Sequence, residues 1–167
     1  GTRKEEIERI LPQLIKIGKI LSSKFNCDIQ LIGADNISEQ YYHQFLNNNR
    51  IKFVRNNLRS IFDSDFVITK FGTSNLECAF LNVPFASVYK ASFLNYLIAK
   101  SIVNLKYVSL VNIVMNKKVV KEFIQREFTT KNVIDEAEKI FFDSDYRNKM
   151  LSEFIILKKS FHRDIIN

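Results

Sequence analysis

Tryptophan is absent from the 167 residues, and glycine, proline, cysteine and histidine are scarce, with four Gly, two Pro, two Cys and two His. So little Gly and Pro excludes a low-complexity, linker-rich or collagen-like chain. Cys27 and Cys78 provide neither a disulfide framework nor a zinc spacing, which points to a reducing cytoplasm. His43 and His162 stand alone, so no histidine-rich metal site is expected, and His43 reads as part of a solvated helix face. Long apolar runs are missing too. The longest uncharged ones, such as Ala91–Ala99, are too short to span a bilayer, and no charged-then-apolar signal peptide opens the chain. Ser-His-Asp, Cys-His, Walker and GxGxxG patterns are all lacking, which leaves a binding crevice without an evident general base.

What is present is a chain that is 46% hydrophobic, enough for one core, with a formal net charge of +7. The charge is uneven. Between Lys90 and Lys131 there are eight Lys or Arg against two acids, Glu122 and Glu127. A basic half of this kind suits an anionic partner, whether nucleotide, lipid phosphate, membrane surface or nucleic acid. It also suits a merely soluble face in a lysine-rich chain.

The order of elements is more specific. Ile7, Ile10, Leu11, Leu14, Ile17 and Leu21 form the apolar stripe of an amphipathic helix, with Glu5, Glu6 and Glu8 near its start. The glycine turn at Gly1–Arg3 normally follows a strand, so the chain reads as truncated at its N-terminus. Strands are expected at Asp28–Gly33, Ile51–Val54, Phe66–Thr69, Pro84–Tyr89 and Tyr107–Leu110. Helices are expected at Ser38–Asn47, Asn57–Phe62, Ser74–Leu81 and Ser92–Val103. This alternation predicts an α/β fold, a Rossmann-like parallel sheet with helices on both faces. From Lys117 onward only helices are expected: Lys118–Glu127, Thr130–Phe142 and Asp143–Ser160, with Asp143-Ser144-Asp145 breaking and recapping the last. The domain reading is a sheet domain over 1–142 and a helical tail over 143–167.

The stretch Asp65–Glu77, DFVITKFGTSNLE, lies at the centre of this plan. A strand that passes through Gly72, Thr73 and Ser74 into a helix presents free backbone N–H groups to an anion. Glu77, one turn further in, is placed to bond sugar hydroxyls. The competing reading is structural: Ser74-x-x-Glu77 is a capping box. Arg3 suits a phosphate clamp or plain solvation. Lys90 ends a buried strand and is placed to meet an anion or a substrate hydroxyl. Asn112 offers donors and an acceptor, or serves a turn. Glu122 and Gln125, three apart on the expected helix, share one face. Cys78 reads as a small core residue.

Taken together, Gly1-Thr2-Arg3 followed by KEEI, then FGTSNLECAFLNVP, SVYKASFLNYLIAK, KYVSLVNIV and VVKEFIQ resemble the C-terminal half of the lipid-A-disaccharide synthases, in that family's order and at about its spacing. The resemblance runs from Gly1 to about Phe142 and rests on several motifs together. It implies the C-terminal half of a GT-B fold, binding a UDP-sugar donor. Arg3 then resembles the arginine of the phosphate-side loop, and Gly72, Thr73 and Ser74 the pyrophosphate turn. Glu77 resembles the acid facing the ribose, Lys90 the basic member of a Tyr-Lys/Arg pair, Asn112 the loop asparagine, and Glu122 with Gln125 a Glu-x-x-Gln helix pair. Three positions depart from the pattern: Thr2 stands for serine, Phe71 for serine and Val111 for proline.

The implied reaction joins UDP-2,3-diacylglucosamine to 2,3-diacylglucosamine 1-phosphate with inversion and release of UDP, using no cofactor and no metal. The catalytic acid is expected in an N-terminal domain that this chain lacks, so no turnover is expected from the chain by itself. The resemblance places the enzyme peripherally on the cytoplasmic face of a bacterial inner membrane, against an anionic surface, and leaves room for a homo-oligomer. The helix Ser92–Val103, apolar and flanked by Lys90, Lys100 and Lys106, is the candidate for that surface or for burial against the rest of the enzyme. Another UDP-sugar GT-B transferase or an epimerase is the alternative. A basic nucleic-acid-binding module is disfavoured, because no aromatic-plus-basic RNA-binding strand and no recognition-helix module is present.

Overall fold

The computed structural model describes residues 4–46, 51–55, 57–90 and 106–166. They divide into two compact units, Gly1–Ser60 and Ile61–Asn167. In the first, helix α1 (Lys4–Phe25) carries Glu5 and Glu6 in its first turn and Lys24 in its last, each favoured there by the helix dipole. Its apolar face supplies Ile7, Leu11 and Ile15 to a core shared with Ile37, Tyr42 and Leu46. Strand β1 (Ile29–Gly33) pairs in parallel with β2 (Ile51–Arg55), from Ile29 opposite Ile51 to Gly33 opposite Arg55. Helix α2 (Glu39–Leu46) lies between them in sequence and buries Tyr42, whose hydroxyl accepts the Ala34 N–H at 2.9 Å. Gly33 is required by close approach: a Cβ there would stand 2.5 Å from the Phe53 ring.

Helix α3 (Leu58–Phe62) opens on Asn57, whose side-chain oxygen accepts the Ser60 N–H at 2.7 Å. The second unit then builds a three-stranded parallel sheet in the order β3-β4-β5. Strand β3 is Val67–Lys70 and β4 is Phe85–Tyr89, joined through helix α4 (Ser74–Phe80). The middle strand is the most buried, with Phe85 to Val88 all inside, as a strand paired on both edges must be. Helix α5 (Leu110–Met115) follows, then β5 (Glu122–Ile124), a 3₁₀ turn over Gln125–Glu127, and helices α6 (Thr130–Phe142) and α7 (Ser144–Ile166). The Thr129 hydroxyl caps α6 through the Asn132 N–H at 3.1 Å, and Asp143 recaps the chain through the Tyr146 N–H at 2.9 Å.

The α/β class with parallel strands holds; among the described residues the strands lie in two sheets, one in each unit. Helix α7 is more than a tail: Met150, Phe154 and Leu157 are buried, and Phe154 stacks on Phe85 of β4. Two expected elements are replaced. The strand expected at Tyr107–Leu110 does not form, because the Glu122 carboxylate takes the N–H groups of Val108 and Ser109 that a sheet ladder would need. The helix expected over Lys118–Glu127 gives way to β5, which pairs Glu122, Phe123 and Ile124 with Ser87, Val88 and Tyr89. The second edge of the buried β4 requires a partner, and Phe123, 2% exposed, fills that place. No described helix is long and apolar enough to cross a membrane. Arg3 and the helix expected at Ser92–Val103 lie outside the described residues.

Candidate functional site

At the carboxyl end of β3 the chain turns through Phe71, Gly72 and Thr73 into α4. Gly72 has φ +154°, which side-chain-bearing residues rarely adopt, and a Cβ added there would meet nothing within 4 Å. The space beside this turn is open. The helix ladder begins with Asn75 N–H on Gly72 O and with Leu76 and Glu77 N–H on Thr73 O. Thr73 occupies the cap position without a side-chain cap bond.

The capping box is not formed. The Ser74 hydroxyl is bonded to the Thr69 hydroxyl at 2.7 Å, across the turn, and not to the backbone of α4. Among the described residues the half-buried Glu77 carboxylate therefore has no hydrogen-bond partner. Its neighbour Cys78 is fully buried, and burial, with a smaller push from Glu77, raises its thiol to about 12. A thiol held protonated at neutral pH is no nucleophile, in agreement with its reading as a core residue.

Asn75 was not singled out by sequence. It is fully buried, donates from Nδ2 to Lys70 O at 3.1 Å and accepts the Ser87 hydroxyl at 3.0 Å. It thus pins the turn to both β3 and β4. The available signal was a polar side chain on the apolar face that also carries Cys78 and Ala79, three and four residues on.

The second group of predicted residues lies around β5. Asn112 is fully buried on α5, and its amide is saturated. Oδ1 accepts from the N–H groups of Val119 and Val120 at 2.8 and 2.9 Å, while Nδ2 donates to Val120 O and to Glu122 Oε1, both at 2.9 Å. Any direct bond from this amide to a ligand has to displace one of these four. Glu122 Oε1 also accepts from Val108 N–H at 3.1 Å and Ser109 N–H at 2.7 Å. The structure therefore brings Asn112 and Glu122 together, as a brace for the segment 107–112 and the 119–122 return. Gln125 parts from Glu122: it begins the 3₁₀ turn with φ 51°, so the shared helix face expected of the pair does not exist. Lys90 lies just past the end of β4, exposed. Beside it the ring of Tyr89 stacks on Phe71, with centroids 5.4 Å apart and planes at 16°.

Gly72, Thr73, Ser74, Glu77 and Lys90 thus lie on segments that leave the carboxyl ends of two neighbouring parallel strands, where open α/β sheets bind ligands. The Asn112–Glu122 brace belongs to the segments flanking β5 in the same unit.

Comparison with known proteins bears on what this arrangement serves. The family model described as lipid-A-disaccharide synthetase matches residues 1–163. The lipid-A-disaccharide synthase of Acinetobacter baylyi is 30% identical over 184 residues, covering 100% of this chain and 44% of that protein. Lipid-A-disaccharide synthase 1 of Legionella pneumophila (strain Philadelphia 1) is 29% identical over 164 residues, covering 96% and 43%. The lipid-A-disaccharide synthase of Rickettsia canadensis is 29% identical over 166 residues, again covering 96% and 43%. The chain spans less than half the length of these relatives.

Proposed function

This chain belongs to the lipid-A-disaccharide synthetase family, and we propose that it is the donor-nucleotide half of such a glycosyltransferase. In this reading the second unit holds the UDP of UDP-2,3-diacylglucosamine at the turn 71–74. The sugar passes to 2,3-diacylglucosamine 1-phosphate: the anomeric bond to UDP breaks, a bond to an acceptor oxygen forms with inversion, and UDP leaves. The group that takes the acceptor's proton lies outside these 167 residues, so the chain by itself binds donor and does not turn it over.

The observation that carries the proposal is the state of Glu77. The obvious structural role for Ser74-x-x-Glu77 is absent, because Ser74 bonds to Thr69. A half-buried carboxylate without a hydrogen-bond partner among the described residues is left at the first turn of α4, beside an open glycine turn. Burying a carboxylate without a partner costs stability, and a ribose hydroxyl supplies the missing donor. The Gly72–Ser74 backbone and the exposed Lys90 ammonium supply positive character for the diphosphate. Asn112 and Glu122 take part by holding the segment 107–112 in shape, and Gln125, half-buried at the start of the 3₁₀ turn, remains a candidate contact.

Titration calorimetry of the 167-residue chain with UDP tests this. Binding is expected, and Glu77→Ala is expected to weaken it by about 1–2 kcal/mol, the loss of one charge-assisted hydrogen bond. Equal affinity in both proteins, with unchanged circular dichroism, removes Glu77 from the site. No binding by the wild-type chain removes the donor reading.

A further inference from the structure

The stack of Phe71 on Tyr89 takes no part in the account above. Its position follows from the register: Lys70 is opposite Val88, so the next residues along β3 and β4 bring Phe71 and Tyr89 side by side. Phe85 to Val88 are buried, whereas Phe71 and Tyr89 are only half-buried. The two rings therefore mark the border where the sheet's interior meets the strand-end region. With planes at 16° they are held nearly parallel, each backing the other, which fixes an aromatic face in place before any ligand arrives.

Near this face in sequence are two polar side chains, and Tyr89 itself carries a hydroxyl. Thr73 is exposed and makes no cap bond. Lys90 is exposed, and among the described residues neither its ammonium nor the Tyr89 hydroxyl has a hydrogen-bond partner. A Cβ added at Gly72, the residue after Phe71, would meet nothing within 4 Å, so the turn is open on that side. A fixed aromatic stack whose chain neighbours carry a hydroxyl and an ammonium suits a pyranose ring, which is apolar on its C–H face and hydroxylated around its edge. A purely apolar ligand would strip water from Thr73 and Lys90 and return no hydrogen bond.

We propose that the Phe71–Tyr89 stack is the platform on which the hexose ring of a sugar nucleotide lies, so that Phe71 determines preference for the sugar nucleotide over the bare nucleotide. The inference rests on the donor-binding reading of this unit.

The test is calorimetry of the 167-residue chain with UDP and with UDP-N-acetylglucosamine. Phe71→Leu keeps apolar volume and removes the aromatic face. It is expected to weaken the sugar nucleotide about fivefold while leaving UDP within twofold. Because the chain contains no tryptophan, Phe71→Trp introduces a single fluorescent reporter and keeps a ring against Tyr89. Its emission is expected to change on adding UDP-N-acetylglucosamine and to stay constant with UDP, which decides the matter even where Phe71→Leu fails to fold. Equal losses for both ligands, or equal emission changes, overturn the inference and give the stack to the nucleotide, with the donor reading intact. Unaltered affinity for both ligands in Phe71→Leu also overturns it. Absence of UDP binding by the wild-type chain overturns the donor reading and this inference together.

Discussion

Asn112 shows how far a side chain's role depends on what surrounds it. Free at the end of a strand it would be a ligand contact; here it is fully buried with four hydrogen bonds, one of them to Glu122. Asn112→Asp is nearly isosteric, but it replaces two N–H donors with an oxygen facing Val120 O and the Glu122 carboxylate. The expected destabilisation is about 3 kcal/mol or more, exceeding that of Asn112→Ala, because a buried like-charge contact is added to the lost bonds. Urea denaturation of the two variants decides it. Equal stability of Asn112→Asp and wild type would mean that the amide is not bonded as described. The importance of Asn112 was legible in the sequence. The direction of its amide was not, since both readings use the same donors and acceptor.

At the scale of elements, glycine separates packing from backbone demands. A Cβ at Gly33 would collide with the Phe53 ring at 2.5 Å and press the Tyr42 ring at 3.0 Å, both in the core of the first unit. Gly33→Ala is therefore expected to cost about 1–3 kcal/mol through overpacking. It should also speed hydrogen exchange in β1 and β2. At Gly72 space is open but the backbone angle resists any side chain, so Gly72→Ala should also cost about 1–3 kcal/mol, through strain and not through overpacking. Thermal melting checks both, and an unchanged melting temperature in Gly72→Ala would contradict the strained backbone angle. Element type was legible wherever the period was long and capped, as in Thr130–Phe142, found as expected. It failed for KEFIQ, too short to distinguish a period of 3.6 from one of 2, where the free edge of β4 decided in favour of a strand.

For the whole molecule the buried Cys78 thiol and the half-buried Tyr146 hydroxyl, both of raised pKa, set the alkaline limit. The Cys78 thiol rises from 9.0 to about 12, chiefly through burial. The Tyr146 hydroxyl is also raised, by burial and then by its hydrogen bond to the buried Glu136. Both groups keep their proton in the folded state when the unfolded chain has already lost it. Their contribution is complete below the unfolded value and declines as pH rises through the window between the unfolded and folded values. Stability should hold up to about pH 9 and then fall with a slope of up to about 1.4 kcal/mol per pH unit from Cys78, joined above pH 10 by a smaller, solvent-screened loss from Tyr146. Cys78→Ala should make that fall shallower between pH 9 and 12. Urea midpoints measured across this range check it, and an unchanged slope in the variant would show that Cys78 is not the titrating group.

The sequence by itself determined the α/β class, the parallel pairing and the turn around Gly72, because periodicity and turn chemistry are local properties that each segment carries alone. The order of its motifs also pointed to the family that the comparisons establish. Tertiary structure decided the rest. It divided the strands between two sheets, made Glu122–Ile124 a strand and turned the Asn112 amide inward. It also directed Ser74 to Thr69 and left Glu77 without a hydrogen-bond partner among the described residues. Each of these outcomes depends on which donor, acceptor or free strand edge another segment brings within reach. That is a property of the folded chain and of no window of its sequence.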